Sequence, residues 1–301
     1  MTKAIVLGST GFVGSNVIKY LISKNIQVLA IGRNDEKDYQ IKNDLLYYLK
    51  LDIEEINLLP EILDRIGWQA NKECIFYNFA WKGHSKLMEG TLEVQLKNSI
   101  QFANSLKVAS KLGCGKFINA GSIEETFFDD YLKHWNKIKD FDLPLNINYA
   151  IAKIASRDLC KLLSYLEKID YVHTRFSITL DYKLSINSYV ANCFKKILQN
   201  ESHDKPINIG LFDIIDVNDL SEAYYHLGIY GKNQSDYFIG TGRPFTLKQY
   251  FEIFNNYVNE RKLQPQFSPL QKEFDTSLLK QDTGLDFSNS FNTLVNKIIP
   301  V

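Results

Sequence analysis

A tyrosine and a lysine four residues apart in this sequence have the types and spacing of a proton-transfer pair. Tyr149 and Lys153 form the pattern Tyr-x-x-x-Lys, and on a helix this spacing places both side chains on one face. A phenol titrates near pH 10, so it exchanges protons near neutrality only when a neighbouring positive charge lowers its pKa. The pair is therefore suited to giving a proton to a carbinol oxygen or taking one from it.

This pattern also arises by chance, and the sequence contains a second copy at Tyr20 and Lys24. The second copy lies late in a predicted helix, away from the carboxyl ends of strands, where open α/β sheets bind their ligands. Tyr149 instead begins a predicted helix, and Ser122 follows a predicted strand 27 residues earlier. We expect the Ser122 hydroxyl to hold a substrate oxygen beside the phenol of Tyr149.

A glycine run follows the first predicted strand and opens the first predicted helix. Glycines in such a turn let the backbone approach a pyrophosphate, which the amide groups at a helix N-terminus bind. The spacing Gly-x-x-Gly-x-x-Gly differs from Gly-x-Gly-x-x-Gly, so the run is either a dinucleotide-binding turn or only a tight turn. Its position between strand and helix favours the dinucleotide. The predicted contacts of this turn are Gly8, Thr10, Gly11, Phe12, Val13 and Gly14.

The end of the second predicted strand indicates which dinucleotide to expect. An acid there accepts hydrogen bonds from the ribose hydroxyls, whereas an arginine pairs with the 2′-phosphate of NADP. The segment reads Ala-Ile-Gly-Arg-Asn, which favours NADP through Arg33, although Asp35 keeps NAD open and Arg33 can equally be a solvated residue. Asp52 and Ile53, just past the third predicted strand, are further cofactor candidates, and Asp52 can accept from an adenine amino group.

The composition excludes several classes of protein. The chain has 301 residues with 35 Lys and Arg against 35 Asp and Glu, and 45 % of its residues are hydrophobic. Nucleic-acid binding and polybasic membrane docking need clustered positive charge, which this balance does not indicate. Four cysteines at least 33 residues apart show no metal spacing, and no apolar stretch reaches the roughly 18 residues of a spanning helix. We expect a cytoplasmic protein without a metal, nucleic-acid or membrane partner.

These groups need strands that alternate with helices to position them. The predicted strands are 4–7, 28–31, 46–51, 74–80, 117–120 and 171–176. The predicted helices between them are 12–23, 56–66, 94–112 and 149–166. In the last helix, leucines at 159, 162, 163 and 166 recur at helical spacing, which predicts that this face is buried. The expected fold class is α/β, with a Rossmann-type doubly wound parallel sheet.

After residue 180 the pattern loosens and predicts a smaller C-terminal α/β lobe. Its predicted elements are helices at 189–198, 220–227, 247–258 and 288–298 and short strands at 207–209 and 214–217. The expected organisation is a dinucleotide-binding domain over 1–180, to which 212–235 returns. The substrate-binding lobe then comprises 181–211 and 236–301.

With these motifs the chain resembles the extended short-chain dehydrogenases/reductases, the family of NAD(P)-dependent nucleotide-sugar epimerases, dehydratases and ketoreductases. The glycine run matches the family's cofactor motif, and the run Asn-Phe-Ala-Trp at 78–81 stands where the family has Asn/His-x-Ala-Ala. Asn98 resembles the family's active-site Asn, and Ser122, Tyr149 and Lys153 resemble its catalytic triad. The segment 240–244 resembles the turn that leads into the substrate lobe's helix.

The resemblance implies hydride transfer between a nicotinamide and a sugar carbon, with Tyr149 giving or taking the hydroxyl proton. Lys153 is implied to lower the pKa of Tyr149 and to hold the nicotinamide ribose. A homodimer is also expected. The further cofactor contacts are Phe79, Ala80, Trp81, Asn98, Tyr149 and Lys153. The implied substrate contacts are Lys82, Ser122, Glu124, Arg175, Ser177 and Arg243.

Three activities of the family compete. A 4,6-dehydratase is expected to carry Thr-Asp-Glu or Thr-Ser-Glu at 122–124, whereas this chain has Ser-Ile-Glu, which leaves Glu124 as a catalytic candidate. Glu125 resembles the Glu of the Gly-Thr/Ser-x-x-Glu-Tyr-Gly run of 4-ketoreductases and related epimerases, although Thr126 and Phe127 replace its Tyr and Gly. Arg33 and the chain length favour a reductase. The favoured interpretation is reduction of a keto group on a nucleotide-linked 4-keto-6-deoxy sugar. A 4-epimerase with tightly bound NAD is the alternative, ahead of a dehydratase or a non-catalytic NADP-binding sensor.

Two departures from the family concern the substrate. Phe212 stands where the family has the Arg that typically meets the nucleotide diphosphate. The segment after Arg175 lacks the family's Asn and Gly. Either Lys195, Lys196 or Arg243 replaces the missing cation, or the acceptor is not a nucleotide sugar.

Overall fold

The computed structural model describes residues 1–83, 91–134, 147–206, 210–259 and 271–299, so the predicted strand at 207–209 lies outside the described residues. The chain divides into two compact units. The first comprises Met1–Arg175 and Tyr224–Tyr237, and the second comprises Phe176–Ala223 and Phe238–Val301. In the described part of the chain, no helix is long and apolar enough to cross a membrane.

A seven-stranded sheet forms the centre of the first unit. Its strands are β1 (Lys3–Leu7), β2 (Gln27–Gly32), β3 (Leu46–Lys50), β4 (Cys74–Asn78), β5 (Lys116–Ala120), β6 (Asp170–Arg175) and β10 (Ser235–Phe238). The order is β10-β6-β5-β4-β1-β2-β3, and the first six strands of the chain pair in parallel. The prediction of a doubly wound parallel α/β sheet is confirmed.

The sequence of the central strands explains why they form this sheet. β1, β4 and β5 are mostly apolar with nearly every residue buried, which is typical of parallel strands covered on both faces. The strand order reverses between β1 and β4, and ligands of such sheets bind at the carboxyl ends of the strands next to that point. The glycine turn and Ser122 both follow strands that end at this edge.

Five helices accompany the sheet. They are α1 (Phe12–Ser23), α2 (Leu59–Ile66), α3 (Leu92–Lys111), α4 (Ile123–His134) and α5 (Ile147–Glu167). α4 was not predicted from the sequence. α2 begins three residues later than predicted, because Ile53–Leu58 forms a 3-10 helix and Pro60 then lies in the first turn of α2, where proline needs no amide partner.

The buried face of α5 is not the one that its leucines predicted. Leu162 and Leu166 are more than 60 % exposed, and Leu159 is also exposed. The buried face consists of Lys153 and of small residues, which are Ala150, Ala152, Ser156, Cys160 and Ser164. Short side chains let α5 approach α3, and the hydroxyl of Ser99 on α3 donates to the carbonyl oxygen of Ala152 at 2.6 Å. Leu159, Leu162 and Leu166 therefore form an apolar outer surface, whereas Leu163 packs against the core as predicted.

The second unit is built from short sheets and helices around its own core. Its strands are β7 (Ile178–Leu180), β8 (Leu211–Phe212), β9 (Ile214–Asp216) and β11 (Phe245–Thr246), paired as β7 with β9 and β8 with β11. Its helices are α6 (Tyr189–Leu198), the start of α7 (Val217–Tyr230), α8 (Leu247–Val258), α9 (Ser277–Thr283) and α10 (Ser290–Ile298). The segment that returns to the first unit is 224–237, whereas 212–235 was predicted, because β8 and β9 pair within the second unit.

Candidate active site

The glycine turn follows β1 and lies against two neighbouring segments of the sheet edge. The amide groups of Gly8 and Ser9 both donate to the carbonyl oxygen of Ile31 in β2, each at 3.0 Å. Gly8 has a φ of +87°, and a Cβ there would lie 2.6 Å from the backbone nitrogen of Ala80. A Cβ on Gly14 would overlap the carbonyl oxygen of Gly8. The turn therefore requires glycine at positions 8 and 14.

The N-terminus of α1 opens directly from this turn. Gly11 precedes the helix, so no side chain caps the amide groups of the first turn, which contains no acidic residue. Thr10 is exposed, and Phe12 and Val13 are half-buried beside it. The first amide groups of a helix have no partner within the helix and, together with its dipole, favour an anion. This cradle fits the pyrophosphate of a dinucleotide.

The end of β2 carries glycine at the place where NAD-binding proteins typically have an acid. A Cβ on Gly32 would lie 2.8 Å from Cγ2 of Thr10 and 3.0 Å from the hydroxyl oxygen of Tyr48. That hydroxyl donates to the carbonyl oxygen of Asn34 at 2.8 Å, which fixes its position. A longer side chain at position 32 would therefore displace its neighbours.

Arg33 and Asp35, the two residues that bear on cofactor choice, have different surroundings. The side chain of Arg33 is exposed. Oδ1 of Asp35 lies 2.6 Å from Nζ of Lys50, so its charge is compensated by a neighbouring cation. Of these two residues, Arg33 has the positive charge and the exposed side chain that an anionic ligand needs.

Asp52 and Lys82, which were predicted for different ligands, lie together. Nζ of Lys82 is 3.3 Å from Oδ1 of Asp52 and 2.6 Å from Oε1 of Glu54. Oδ1 of Asp52 also accepts from the amide of Glu54 at 2.9 Å. The Ile53 side chain is buried in the core and is therefore not available for a ligand contact. Asp52 was predicted for the adenine and Lys82 for the substrate, and the ion pair places both at one end of the site.

Asn98 on α3 fixes the segment that follows β4. Its Oδ1 accepts from the amide of Lys82 at 2.9 Å, and its Nδ2 donates to the carbonyl oxygen of the same residue at 3.1 Å. Phe79 and Ala80 are half-buried in this segment, and the backbone of Ala80 lies against Gly8. Asn98 thus holds the backbone beside the glycine turn through both ends of its amide.

Ser122, Tyr149 and Lys153 come together after the carboxyl end of β5. Ser122 lies beside the Tyr149 side chain, close enough for its hydroxyl to lower the pKa of the phenol. Nζ of Lys153 donates to the carbonyl oxygen of Ala120 at 2.7 Å and lies 5.7 Å from the centre of the Tyr149 ring. Lys153 is 5 % exposed, and the other two are half-buried. The structure therefore brings the three predicted residues into one cluster.

Burial dominates the proton affinities in this cluster. Burial raises the pKa of Tyr149, the hydrogen bond from Ser122 opposes this rise, and the carboxylates of Glu125 and Glu124 add to it. Burial also lowers the pKa of Lys153 to about 7, with Glu125 acting in the opposite direction. The pKa of Tyr149 is thus raised rather than lowered, contrary to the expectation, because desolvation by burial has the largest effect on it.

A buried carboxylate lies behind Ser122, where the sequence analysis had placed no functional residue. Oε1 of Glu125 accepts from the amide of Ser122 at 2.7 Å, and its Oε2 lies 2.8 Å from Nε2 of His173 on β6. Nδ1 of His173 lies 3.2 Å from both Nδ2 of Asn119 and the hydroxyl oxygen of Tyr171. The sequence signal for this network was the resemblance of Glu125 to the Glu of the ketoreductase run.

Glu124 and Arg175 are both located near the start of α4. Glu124 lies in its first turn, and Arg175 is bonded to Thr126 on the same helix. Glu124 is half-buried, and its amide donates to Oγ of Ser122 at 3.3 Å. Nη1 of Arg175, at the end of β6, donates to the hydroxyl of Thr126 on α4. Nε of Arg175 is buried and has no hydrogen-bond partner within the described residues. Arg175 therefore keeps a donor for a ligand in this part of the site.

Ser177 and Arg243, the remaining predicted substrate contacts, belong to the second unit. Oγ of Ser177 accepts from the amide of Asp213 at 3.3 Å. The carboxylate of Asp213 accepts from the amide and the hydroxyl of Thr241, and the amide of Arg243 donates to that hydroxyl at 3.0 Å. Phe212 pairs with β11 in the short sheet of this unit. Asp213 thus links both predicted contacts within the second unit.

Comparison with known proteins assigns the chain to a family. The family model of the NAD dependent epimerase/dehydratase family matches residues 4–240, a range that contains the glycine turn, Ser122, Tyr149 and Lys153. The chain belongs to the NAD dependent epimerase/dehydratase family. The resemblance drawn from the sequence motifs is thereby confirmed.

The chain is also similar to a curated protein and to solved structures. The chain is 24 % identical over 258 residues to a CDP-abequose synthase from Salmonella muenchen, covering 83 % of this chain and 79 % of that protein. The UDP-glucose 4-epimerase of Thermotoga maritima matches with a TM-score of 0.71 at 18 % identity, covering 98 % of each chain. A dTDP-glucose 4,6-dehydratase from Bacillus anthracis, solved with NAD, matches with a TM-score of 0.71 at 14 % identity, over 99 % of this chain and 96 % of the other. The two structural matches establish the fold.

Proposed function

We propose that the protein uses a reduced nicotinamide dinucleotide to reduce a keto group on a nucleotide-linked sugar of the 4-keto-6-deoxy type. The observation that carries this proposal is the cluster in which Ser122 lies beside Tyr149, with the Lys153 ammonium one turn further along α5. This cluster lies at the same edge of the sheet as the glycine cradle. A ketone bound between them would have an acid on its oxygen and a dinucleotide site near its carbon.

The residues of the cluster have separate parts in this reaction. Bound on the glycine turn, the dinucleotide would supply the hydride that adds to the carbonyl carbon. Tyr149 donates its proton to the carbonyl oxygen, and its raised pKa keeps that proton in place at neutral pH. Ser122 donates a hydrogen bond to the same oxygen, and Lys153 stabilises the phenolate that Tyr149 becomes. A proton from solvent then restores Tyr149.

We propose NADP as the preferred cofactor, with NAD as the alternative. Gly32 lacks the carboxylate that would select the ribose hydroxyls of NAD. The exposed Arg33 supports pairing with a 2′-phosphate, and the ion pair between Asp35 and Lys50 engages the nearby acid.

Each unit carries proposed substrate contacts of its own. Glu124 and Arg175 are proposed to contact the sugar, and Arg175 has a buried donor available for it. In the second unit, Ser177 and Arg243 are proposed to contact the nucleotide diphosphate, with Lys195 and Lys196 as further cations. The likeness to a CDP-abequose synthase, whose name gives a CDP-linked sugar, supports a nucleotide sugar as the substrate class.

The experiment that tests this proposal follows the absorbance of NADPH in the presence of a panel of nucleotide-linked sugars. Oxidation of NADPH on addition of a 4-keto-6-deoxy sugar, with formation of the corresponding alcohol, is the expected result. Conversion of a non-keto nucleotide sugar to its 4-epimer without net oxidation would instead establish the 4-epimerase and contradict the reductase. Loss of water from such a sugar would establish the 4,6-dehydratase.

A further inference from the structure

The indole of Trp81 contacts both members of the proton-transfer pair. Nζ of Lys153 lies 3.9 Å from the centre of the Trp81 ring. The ring of Tyr149 meets the same indole edge-to-face, with centres 5.7 Å apart and planes at 79°. Building on the proposed function, we propose that Trp81 is a positioning residue that keeps the Lys153 ammonium charged and fixes the orientation of the Tyr149 ring.

The surroundings of Lys153 explain why an aromatic face matters there. Its hydrogen bond goes to a neutral acceptor, the carbonyl oxygen of Ala120 on β5. Within the described residues, the titratable groups that act on this ammonium are Glu125 on α4 and Tyr149 on α5 itself, and α3 contributes the neutral ring of Phe102 at 5.2 Å. Burial disfavours the charged form, and the negative face of an indole opposes that effect better than other rings do.

The indole is held in place from its other side. Nε1 of Trp81 donates to Oε1 of Gln95 at 2.8 Å, and Gln95 is fully buried on α3. Phe102, also on α3, packs edge-to-face on the ring with centres 5.1 Å apart. A ring that is bonded at its edge and packed on its face has one orientation available, so the two groups that contact it are oriented as well.

Trp81 is also a departure of this chain from its family's motif. The sequence motif of the family has alanine at the position of Trp81, at the end of the run that starts with Asn78. Alanine has neither a ring face for an ammonium nor a donor for Gln95. In this chain, position 81 therefore contributes contacts to Lys153 and Gln95 in addition to its predicted place beside the cofactor.

The direct test is an NMR titration of the Lys153 side chain, which needs neither cofactor nor substrate. Lysine labelled at Cε gives a signal that the Lys153→Met spectrum identifies by its absence. We expect Trp81→Leu to lower the pKa of the Lys153 ammonium by about 1 unit, because the charged form loses its cation–π contact. Trp81→Phe should restore more than half of the shift. An unchanged Lys153 titration in folded Trp81→Leu would overturn the proposal.

A matched control and a second variant keep the test decisive. Trp68 lies at the edge of the core with Nζ of Lys3 5.1 Å from its ring, so Trp68→Leu removes an equivalent contact elsewhere and should leave the Lys153 titration unchanged. If Trp81→Leu does not fold, Gln95→Leu releases the indole without removing it. A downward shift of the Lys153 pKa in Gln95→Leu supports the proposal, and the absence of any shift overturns it.

Kinetics separates this inference from the function on which it rests. With an accepted keto sugar, Trp81→Leu should lower kcat about tenfold with little change in KM and move the alkaline limb of the pH profile to lower pH. A rise in KM with kcat and the pH profile unchanged would contradict a positioning role for Trp81. If wild type reduces no sugar but the Lys153 titration responds to Trp81 as expected, the proposed function fails and the inference about Trp81 stands.

Discussion

Oε2 of Glu125 lies 2.8 Å from Nε2 of His173, and neither side chain is exposed. A Cβ on Gly121 would overlap both side chains, so glycine at this position leaves room for the pair. The other carboxylate oxygen of Glu125 accepts from the amide of Ser122. The pair therefore holds the segment that carries the hydroxyl proposed to bind the substrate oxygen.

Replacing Glu125 with glutamine is expected to reduce stability in a pH-dependent way. Burial raises the pKa of Glu125, but His173, Lys153 and the amide of Ser122 together bring it below its ordinary value of 4.5. A carboxyl group with a lowered folded pKa contributes stability above its unfolded pKa and loses it as the pH falls through the folded pKa. Urea unfolding should show Glu125→Gln less stable by about 3 kcal/mol at pH 7, with the difference shrinking below pH 4.5.

The neighbouring residue offers a matched control for that experiment. Glu124 is half-buried, so Glu124→Gln should change the free energy of unfolding by less than about 1 kcal/mol. Equal, pH-independent effects of Glu124→Gln and Glu125→Gln would show that the pair with His173 contributes no particular stability.

Replacing Arg33 with alanine is expected to change cofactor choice. The loss of a charged hydrogen bond to a 2′-phosphate should weaken NADPH binding by about 10- to 100-fold and leave NADH binding nearly unchanged. Lys37→Ala, which removes a nearby exposed cation in the 3-10 helix Glu36–Asp38, is the control. Dissociation constants from titration calorimetry measure the effect, and equal losses for both dinucleotides in Arg33→Ala would refute the NADP preference.

The buried Lys153 is expected to lower the free energy of unfolding of the protein. Its folded pKa of about 7 lies below the ordinary value of 10.5, so the unfolded chain binds the proton more tightly between these values. The resulting penalty is complete below pH 7 and vanishes above pH 10.5. Lys153→Met should therefore raise the free energy of unfolding by about 1 kcal/mol at pH 6 and by nothing at pH 10.5, while abolishing reduction.

Lys116 provides the contrasting control for Lys153. Its buried ammonium donates to the carbonyl oxygens of Leu227, Gly228 and Gly231, at 3.2, 3.1 and 2.7 Å. Lys116→Met leaves these acceptors without a donor and should destabilise the protein by about 2 kcal/mol. If both methionine variants destabilise to the same extent, the functional explanation for the buried Lys153 is wrong.

The apolar outer surface of α5 is where we expect a homodimer to form. Leu162, Tyr165 and Leu166 are 62 %, 80 % and 63 % exposed on one side of this helix. Leu162→Asp combined with Leu166→Asp should give a monomer in sedimentation velocity. Tyr182→Asp, which alters an exposed ring in the second unit, should keep the wild-type state. A double variant that sediments like wild type would place the interface elsewhere.

The elements with strong local signals were predictable from the sequence. Helix α1 begins and ends at the predicted residues because glycine precedes it and its apolar face is regular. The buried strands were found for the same reason, since continuous apolar runs indicate a covered parallel sheet. The leucine row of α5 misled the prediction because periodicity identifies an apolar face without showing what covers it, and the face that packs on α3 consists of small residues.

The sequence predicted those contacts of the site that lie within one motif. It did not predict contacts between residues that are far apart in the sequence. Tyr149 and Lys153 are one helical turn apart, so their spacing alone placed them together. Glu125 and His173 are 48 residues apart, and the parallel register of β5 with β6 brings them into contact. The raised pKa of Tyr149 depends on burial, which the motif does not encode.

The most direct test of the central claim is the rate of NADPH oxidation by Tyr149→Phe with an accepted keto sugar. This change removes only the hydroxyl proposed to donate the proton, and kcat should fall by about 10²- to 10⁴-fold with the fold and KM retained. Tyr20→Phe, in the second Tyr-x-x-x-Lys pattern, should keep the wild-type rate. Undiminished turnover by Tyr149→Phe would contradict the account.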